Sequence, residues 1–150
     1  MIPDVCIAVS CVGPVAVPMP KYQTPGAAGM DLHAAIEGPI EVKPLDRVLV
    51  ATGLAFAIPP KFEGQVRPRS GLALKHGLTV VNTPGTIDSD YRGEVKVLLV
   101  NLGKKKVTLE PLARIAQLVI APVATAQLVL VADLEATVRG RGGYGSTGSR

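Results

Sequence analysis

Residues 82–94 read NTPGTIDSDYRGE, the densest run of polar side chains in the sequence. Asn82, Asp88, Asp90, Tyr91 and Arg92 all fall within it. A carboxylate such as Asp88 or Asp90 can take a proton from water as a general base, or can hold a divalent cation. The same stretch is rich in Asn, Asp and Gly, which also build ordinary turns. From residue types alone, a functional loop and a plain surface hairpin fit equally. Asp31, in AAGMDLHAA, is a third candidate acid. It stands among small residues, where a charge needs partners. Spacing leaves open which of the three carboxylates does what.

Other groups suit an anion. Arg67, Arg69, Arg92, Arg114 and Arg139 are candidate phosphate contacts. The segment PRSGLALKHG, residues 68–77, predicts one short helix with Ser70 as its N-cap and Gly77 as its stop. Free N–H groups at a helix start suit phosphate, although a plain capping turn explains an isolated RSG more often. The last twelve residues, RGRGGYGSTGSR, hold five glycines, three arginines and one tyrosine. Backbone N–H groups in such a segment can cradle phosphate. Phosphate beside carboxylates in turn suggests magnesium, which neutralises phosphate oxygens.

These groups need a scaffold, and the sequence spells strands. The runs 5–9, 47–51, 78–81, 95–100, 106–109, 117–120 and 127–131 are short and rich in β-branched and aliphatic residues. Thirteen prolines and sixteen glycines break the chain between most of them, which predicts an all-β sandwich or barrel. The polar stretch 82–94 then lies between two strands that form a long hairpin, well beyond the usual turn length. At 150 residues the chain suits one domain. Apolar residues make up 47% and aromatics 3%, so Val, Leu, Ile and Ala must fill the core. Residues 115–132 carry no charge. Pro122 divides them and Gln117, Thr125 and Gln127 interrupt them, so two buried strands fit better than a membrane span.

Several classes recede on composition. His33 and His76 have no nearby Cys or His partners for zinc. Cys6 and Cys11 are too close for a useful bridge and read as buried or incidental thiols of a reducing compartment, the cytoplasm. The N-terminal MIPDVCIAVS lacks the pattern of a signal peptide. A net charge of +4 favours an anionic partner only weakly. Lys104, Lys105 and Lys106 fit a solvated hairpin turn.

Five segments, in order, resemble the five motifs of the trimeric deoxyuridine triphosphatases (dUTPases): AAGMDLHAA (27–35), RPRSGLA (67–73), NTPGTIDSDYRGEV (82–95), RIAQLVI (114–120) and RGRGGYGSTG (139–148). GTIDSDYRG and GGYGSTG together are highly specific, whereas RSG and AGMDL are not. The resemblance implies an all-β, jelly-roll-like distorted barrel with one short helix, covering residues 1–138. It implies a homotrimer with active sites shared between subunits, and a flexible tail, 139–150, that closes over the site. It implies dUTP as substrate, magnesium on the triphosphate, and hydrolysis to dUMP and pyrophosphate, which supplies dUMP for thymidylate synthesis. It implies neither a membrane nor stable nucleic acid as partner.

Residue by residue, the resemblance makes Asp88 the base that activates water against the α-phosphorus. Arg69, Ser70 and Gly71 match the phosphate-binding segment. Asn82 and the backbone of Thr86 and Ile87 match the uracil-reading hairpin. Tyr91 matches the ring beneath the deoxyribose that leaves no room for a 2′-hydroxyl, and Lys96 a further substrate contact. Asp31 matches an acid near the metal, reached through water. Gln117 matches a polar residue near the phosphates, and Arg114 a structural or inter-subunit arginine. Arg139 matches a triphosphate contact, and Tyr144 the tail aromatic that stacks on uracil, more often Phe in the family. Arg141 departs from the family's usual small or acidic residue and reads as a solvated charge. Two rivals remain on sequence grounds. One is a dCTP deaminase of the same fold. The other is a non-enzymatic nucleic-acid binder that uses the Arg–Gly tail.

Overall fold

A computed structural model describes residues 5–143. Along the chain lie β1 (Ala8–Cys11), β2 (Gly29–His33), β3 (Ile40–Val42), β4 (Arg47–Ala51), β5 (Leu54–Ala57) and β6 (Phe62–Arg67). They are followed by α1 (Ser70–His76), β7 (Leu78–Val80), β8 (Gly85–Ile87), β9 (Lys96–Asn101), β10 (Val107–Leu109) and β11 (Arg114–Pro122). The protein is all-β with one short helix, in a jelly-roll-like arrangement. The strands do not close into one barrel. They form a four-stranded sheet β2-β11-β6-β8, a three-stranded sheet β4-β9-β7, and the pairs β1-β5 and β10-β3.

Aliphatic side chains fill the space between the sheets, as the shortage of aromatics requires. Leu32, Val42, Val50, Leu54, Ile58, Val66, Leu78, Val97, Leu99, Ile115 and Leu118 are all essentially buried, with Phe56 the one large ring among them. Leu118 sits opposite Met30 of β2 and Val66 of β6. Truncating a side chain of this kind to Ala costs about 2–5 kcal/mol.

Two local features position the functional residues. First, β11 carries a bulge against β2 between Arg114 and Ala116. Ile115 and Ala116, at the bulge, are both buried. The extra residue puts Arg114 on the same face as Gln117, although they lie three apart, because their partners His33 and Asp31 share one face of β2. Second, β7 and β9 form the expected hairpin, with Val80 opposite Leu99. The long excursion between them leaves this sheet and adds β8 to the edge of the other, where Gly85 to Ile87 pair with Val66 to Gly64. The peptide between Thr83 and Pro84 in this excursion is cis.

Several expectations need correction. The N-cap of α1 is Arg69, not Ser70. Arg69 is extended, and its carbonyl accepts the N–H groups of Leu72 and Ala73, both at 3.1 Å. No side-chain cap bond forms, so Ser70 does not spend its hydroxyl on the helix. Gly77 does stop the helix, in the left-handed conformation at φ 70°. Residues 127–131 are not a strand: Leu128, Leu130 and Val131 are exposed, because beyond Pro122 no described strand lies alongside. Lys104 to Lys106 do not turn a hairpin, since β10 pairs with β3 rather than β9. Lys106 instead pairs with Glu41 across that ladder. Cys6 and Cys11 are free, as expected, but exposed rather than buried.

Candidate active site

The chain builds two polar centres, at opposite ends of β6. At the Arg67 end, Asp31 projects from β2 toward two cations. Arg69 Nε donates to Asp31 Oδ1 at 2.9 Å, and Arg114 Nη1 donates to Oδ2 at 3.2 Å. Arg69 also reaches the Arg114 carbonyl, at 3.4 Å. Gln117 Nε2 donates to the Pro68 carbonyl at 2.9 Å, which ties the chain down just before Arg69. Beyond it, Ser70 is exposed and Gly71 faces open space. His33 lies beside this cluster, opposite Arg114. Burial holds its imidazole below the ordinary value; Asp31 pulls it up, while Arg114 and Arg69 push it down. Its buried Nδ1 has no partner among the described residues.

At the Phe62 end stands the excursion from β7. Thr86, Ile87, Asp88, Tyr91 and Lys96 line one cavity of about 420 Å³. These residues are five of those picked from the sequence. Asp88 also borders a neighbouring hollow of about 570 Å³ shared with Glu63 and Asp90. It enters none of the ion pairs among the described residues, so its carboxylate is free to accept. β8 is the edge strand of its sheet. Its inner edge pairs with β6, and its outer edge leaves backbone N–H and C=O groups without a strand partner among the described residues. The Tyr91 phenol donates to the Glu94 carbonyl at 3.0 Å, and Arg92 Nη1 braces the loop on the Ser89 carbonyl at 2.7 Å. Asn82 does not line the cavity; its amide packs against Gly85, where a Cβ would meet Nδ2 at 3.2 Å.

Three cavity residues escaped the sequence reading: Leu49, Glu94 and Val95. A signal existed for Leu49. It lies between Val48 and Val50, so strand alternation turns it outward, onto the face that also carries Lys96. Glu94 ends the polar run 82–94, but its contacts are not local. Its carboxylate accepts the Gly53 N–H at 2.9 Å, from a segment forty-one residues away, and lies 3.6 Å from Lys96 Nζ.

Within one chain the two centres do not meet. Asp31, Gln117 and Arg67 form one row across the sheet. Ile87 lies opposite Gly64, so Asp88 falls beside Glu63, four residues further along β6. That is about 13 Å along the strand, and Asp31 is a further three strand spacings of about 4.8 Å across. Of the tail, residues 139–143 are described. Arg139 Nε donates to the Gly142 carbonyl at 2.9 Å, and Tyr144 lies outside the described residues.

The family profile described as dUTPase matches residues 16–148, nearly the whole chain. The chain belongs to the dUTPase family. It is similar to the deoxyuridine 5′-triphosphate nucleotidohydrolase of Rhizobium etli, at 58% identity over 132 residues, covering 87% of this chain and 85% of the relative. It is similar to that of Desulfotalea psychrophila at 60% over 130 residues, with 87% of each chain covered. Among solved structures, the dUTPase of Staphylococcus bacteriophage 80alpha with dUPNHPP superposes with a TM-score of 0.86 at 25% identity, over 95% of this chain and 98% of that one. A mutant dUTPase from phage phi11 of S. aureus, described with a structural Mg(II) ion, gives 0.78 at 22% identity, over 88% and 100%. As a dUTPase-family protein the chain is a hydrolase of nucleotide metabolism. Among the described residues, no helix is long and apolar enough to cross a membrane.

Proposed function

We propose that this chain hydrolyses dUTP to dUMP and pyrophosphate, with the base and sugar in the 420 Å³ cavity and Asp88 as the base that activates water. The observation that carries this reading is the cavity itself: an unpaired carboxylate, an aromatic ring, a lysine and a free strand edge line one hollow. The edge of β8 at Thr86 and Ile87 pairs with the uracil edge, with Asn82 at the head of the same excursion. Cytosine is rejected there because donor would face donor and both would go unpaired. Tyr91 packs beneath the deoxyribose and excludes a 2′-hydroxyl. Asp88 accepts the proton of a water as that water attacks the α-phosphorus, and pyrophosphate leaves.

The triphosphate needs cations. Arg69, with Ser70 and Gly71 beside it, supplies them from the other centre, and Gln117 holds that segment in place. Asp31 orients the arginines. Both of its oxygens are already engaged, and the described residues contain no cluster of three His, Cys, Asp or Glu. Magnesium carried on the triphosphate oxygens fits this better than a protein cage, with Asp31 reached only through water. When bound, the ion neutralises phosphate charge. Tyr144 stacks on the base and Arg139 reaches the phosphates as the tail closes. The reaction belongs in the cytoplasm, where the two free thiols stay reduced, and its dUMP feeds thymidylate synthesis.

Because the two centres lie far apart in one chain, the active site is shared within a homotrimer. The exposed apolar run past Pro122 supports the assembly: Leu128 is 92% exposed and Leu130 100% in the single chain, as expected of an interface segment without its partner. Sedimentation equilibrium should give about three times 15.6 kDa.

The activity itself is tested by pyrophosphate release across the common nucleoside triphosphates with magnesium. Preference for dUTP is expected; deamination of dCTP, or binding of single strands without hydrolysis, would sink the reading. The shared site is tested by co-expressing Asp88→Asn with Arg69→Ala chains. Each variant alone should be nearly inactive. Random mixing restores about a quarter of the sites if the hairpin and the arginine come from different subunits, and restores none if one chain supplies both. Cutting after Val138 should lower turnover more than affinity, since closure excludes water.

A further inference from the structure

We propose that Gly93 and Glu94 are positioning residues that seat the Tyr91 ring in the cavity wall, an inference that rests on placing the nucleotide against Tyr91. The backbone at Gly93 lies outside the left-handed region, so its dihedral angles alone would admit alanine. Space would not. A Cβ on Gly93 would fall 2.6 Å from Tyr91 Cζ and 3.0 Å from Cε2, and closer still to the phenol oxygen. The glycine is there because the ring folds back over it, drawn by the phenol's bond to the Glu94 carbonyl at 3.0 Å.

That carbonyl belongs to stiff backbone. The Glu94 carboxylate accepts the Gly53 N–H at 2.9 Å, and Val95 N–H donates to the Leu54 carbonyl at 2.8 Å. The buried Thr52 hydroxyl donates to the Val95 carbonyl at 2.5 Å. Three bonds from the corner between β4 and β5 therefore hold the seat from beneath. The ring is 44% exposed and lines the cavity, so it is the part that yields when the seat is filled. A group lying against substrate loses its effect when displaced by about an ångström, at a cost of tenfold or more.

A double-mutant cycle separates a seat from a general structural role. Gly93→Ala should lower kcat/KM for dUTP about tenfold, mainly through KM, with thermal stability close to that of the parent. In a Tyr91→Ala background the same substitution should cost less than about twofold, because no ring remains to displace. Glu94→Ala should raise KM in the same Tyr91-dependent way, and Glu94→Gln, which keeps an acceptor for Gly53, should restore it. Multiplying losses in the double variant, or a folded Gly93→Ala with parental KM, would overturn the proposal. Should Gly93→Ala fail to fold, recovery of folding in the double variant supports the seat, and failure of both overturns it. The role of Tyr91 in sugar choice is read separately. If Tyr91→Ala leaves the UTP-to-dUTP ratio unchanged, the steric account of the sugar falls while the cycle still decides the seat.

Discussion

Asp31 and Asp88 are the same side chain in two settings. Asp31 is 13% exposed and gives both oxygens to guanidinium groups. Asp88 borders two hollows and enters no ion pair among the described residues. Of the two, Asp88 is the one with neither oxygen in an ion pair among the described residues, as the proposed proton acceptor requires. Each oxygen of Asp31 already accepts from one arginine. The difference teaches that an acid's role follows from what already occupies its oxygens rather than from its motif. At the arginine end of β6 the carboxylate is compensated within the chain, and at the hairpin end it is left open.

The largest expected effect breaks the comparison at its reactive end. Asp88→Asn should cut turnover by about two orders of magnitude or more, with folding and dUTP binding nearly unchanged. Single-turnover kinetics beside a thermal melt checks this. Near-normal turnover would move the base elsewhere, with Asp90 next in line. At the compensated end, Asp31→Asn should behave differently. An amide can accept from one guanidinium but turns a donor toward the other. Stability should fall by about 1–2 kcal/mol, discounted because the arginines are 27% and 52% exposed. Urea unfolding measures it, and turnover should fall less than in Asp88→Asn. An equal loss of turnover with no loss of stability would erase the distinction.

The smallest effect concerns His33, beside the same cluster. Its imidazole is held below the ordinary 6.5 when folded, first by burial. The unfolded chain then binds the proton more readily. Stability from this group is full above about pH 6.5 and is lost as the pH falls toward the folded value. His33→Gln should therefore flatten the decline in stability between about pH 7 and pH 5. Parallel pH profiles for the parent and His33→Gln would show that His33 titrates alike in both states.

The five motifs, their order and their residue types were legible in the chain because they are contiguous. So were β4, whose ends match the run 47–51, and the stop of α1, because Gly77 needs a left-handed conformation that few residues adopt. An aliphatic core followed from composition. Local pattern carries such features because backbone preference and side-chain alternation act over a few residues.

Tertiary structure decided the pairings. Propensity marks a strand but not its neighbour. Nothing local sends the excursion from β7 across to β6, or turns β10 away from β9 toward β3. The bulge at Ile115 and Ala116 is what aims Arg114 at Asp31. The Glu94 carboxylate reaches Gly53 only once the β4–β5 corner is folded beneath it. Residues 127–131 show the limit most plainly. Their pattern reads as a buried strand, yet burial needs a second surface, and the described residues offer none beyond Pro122.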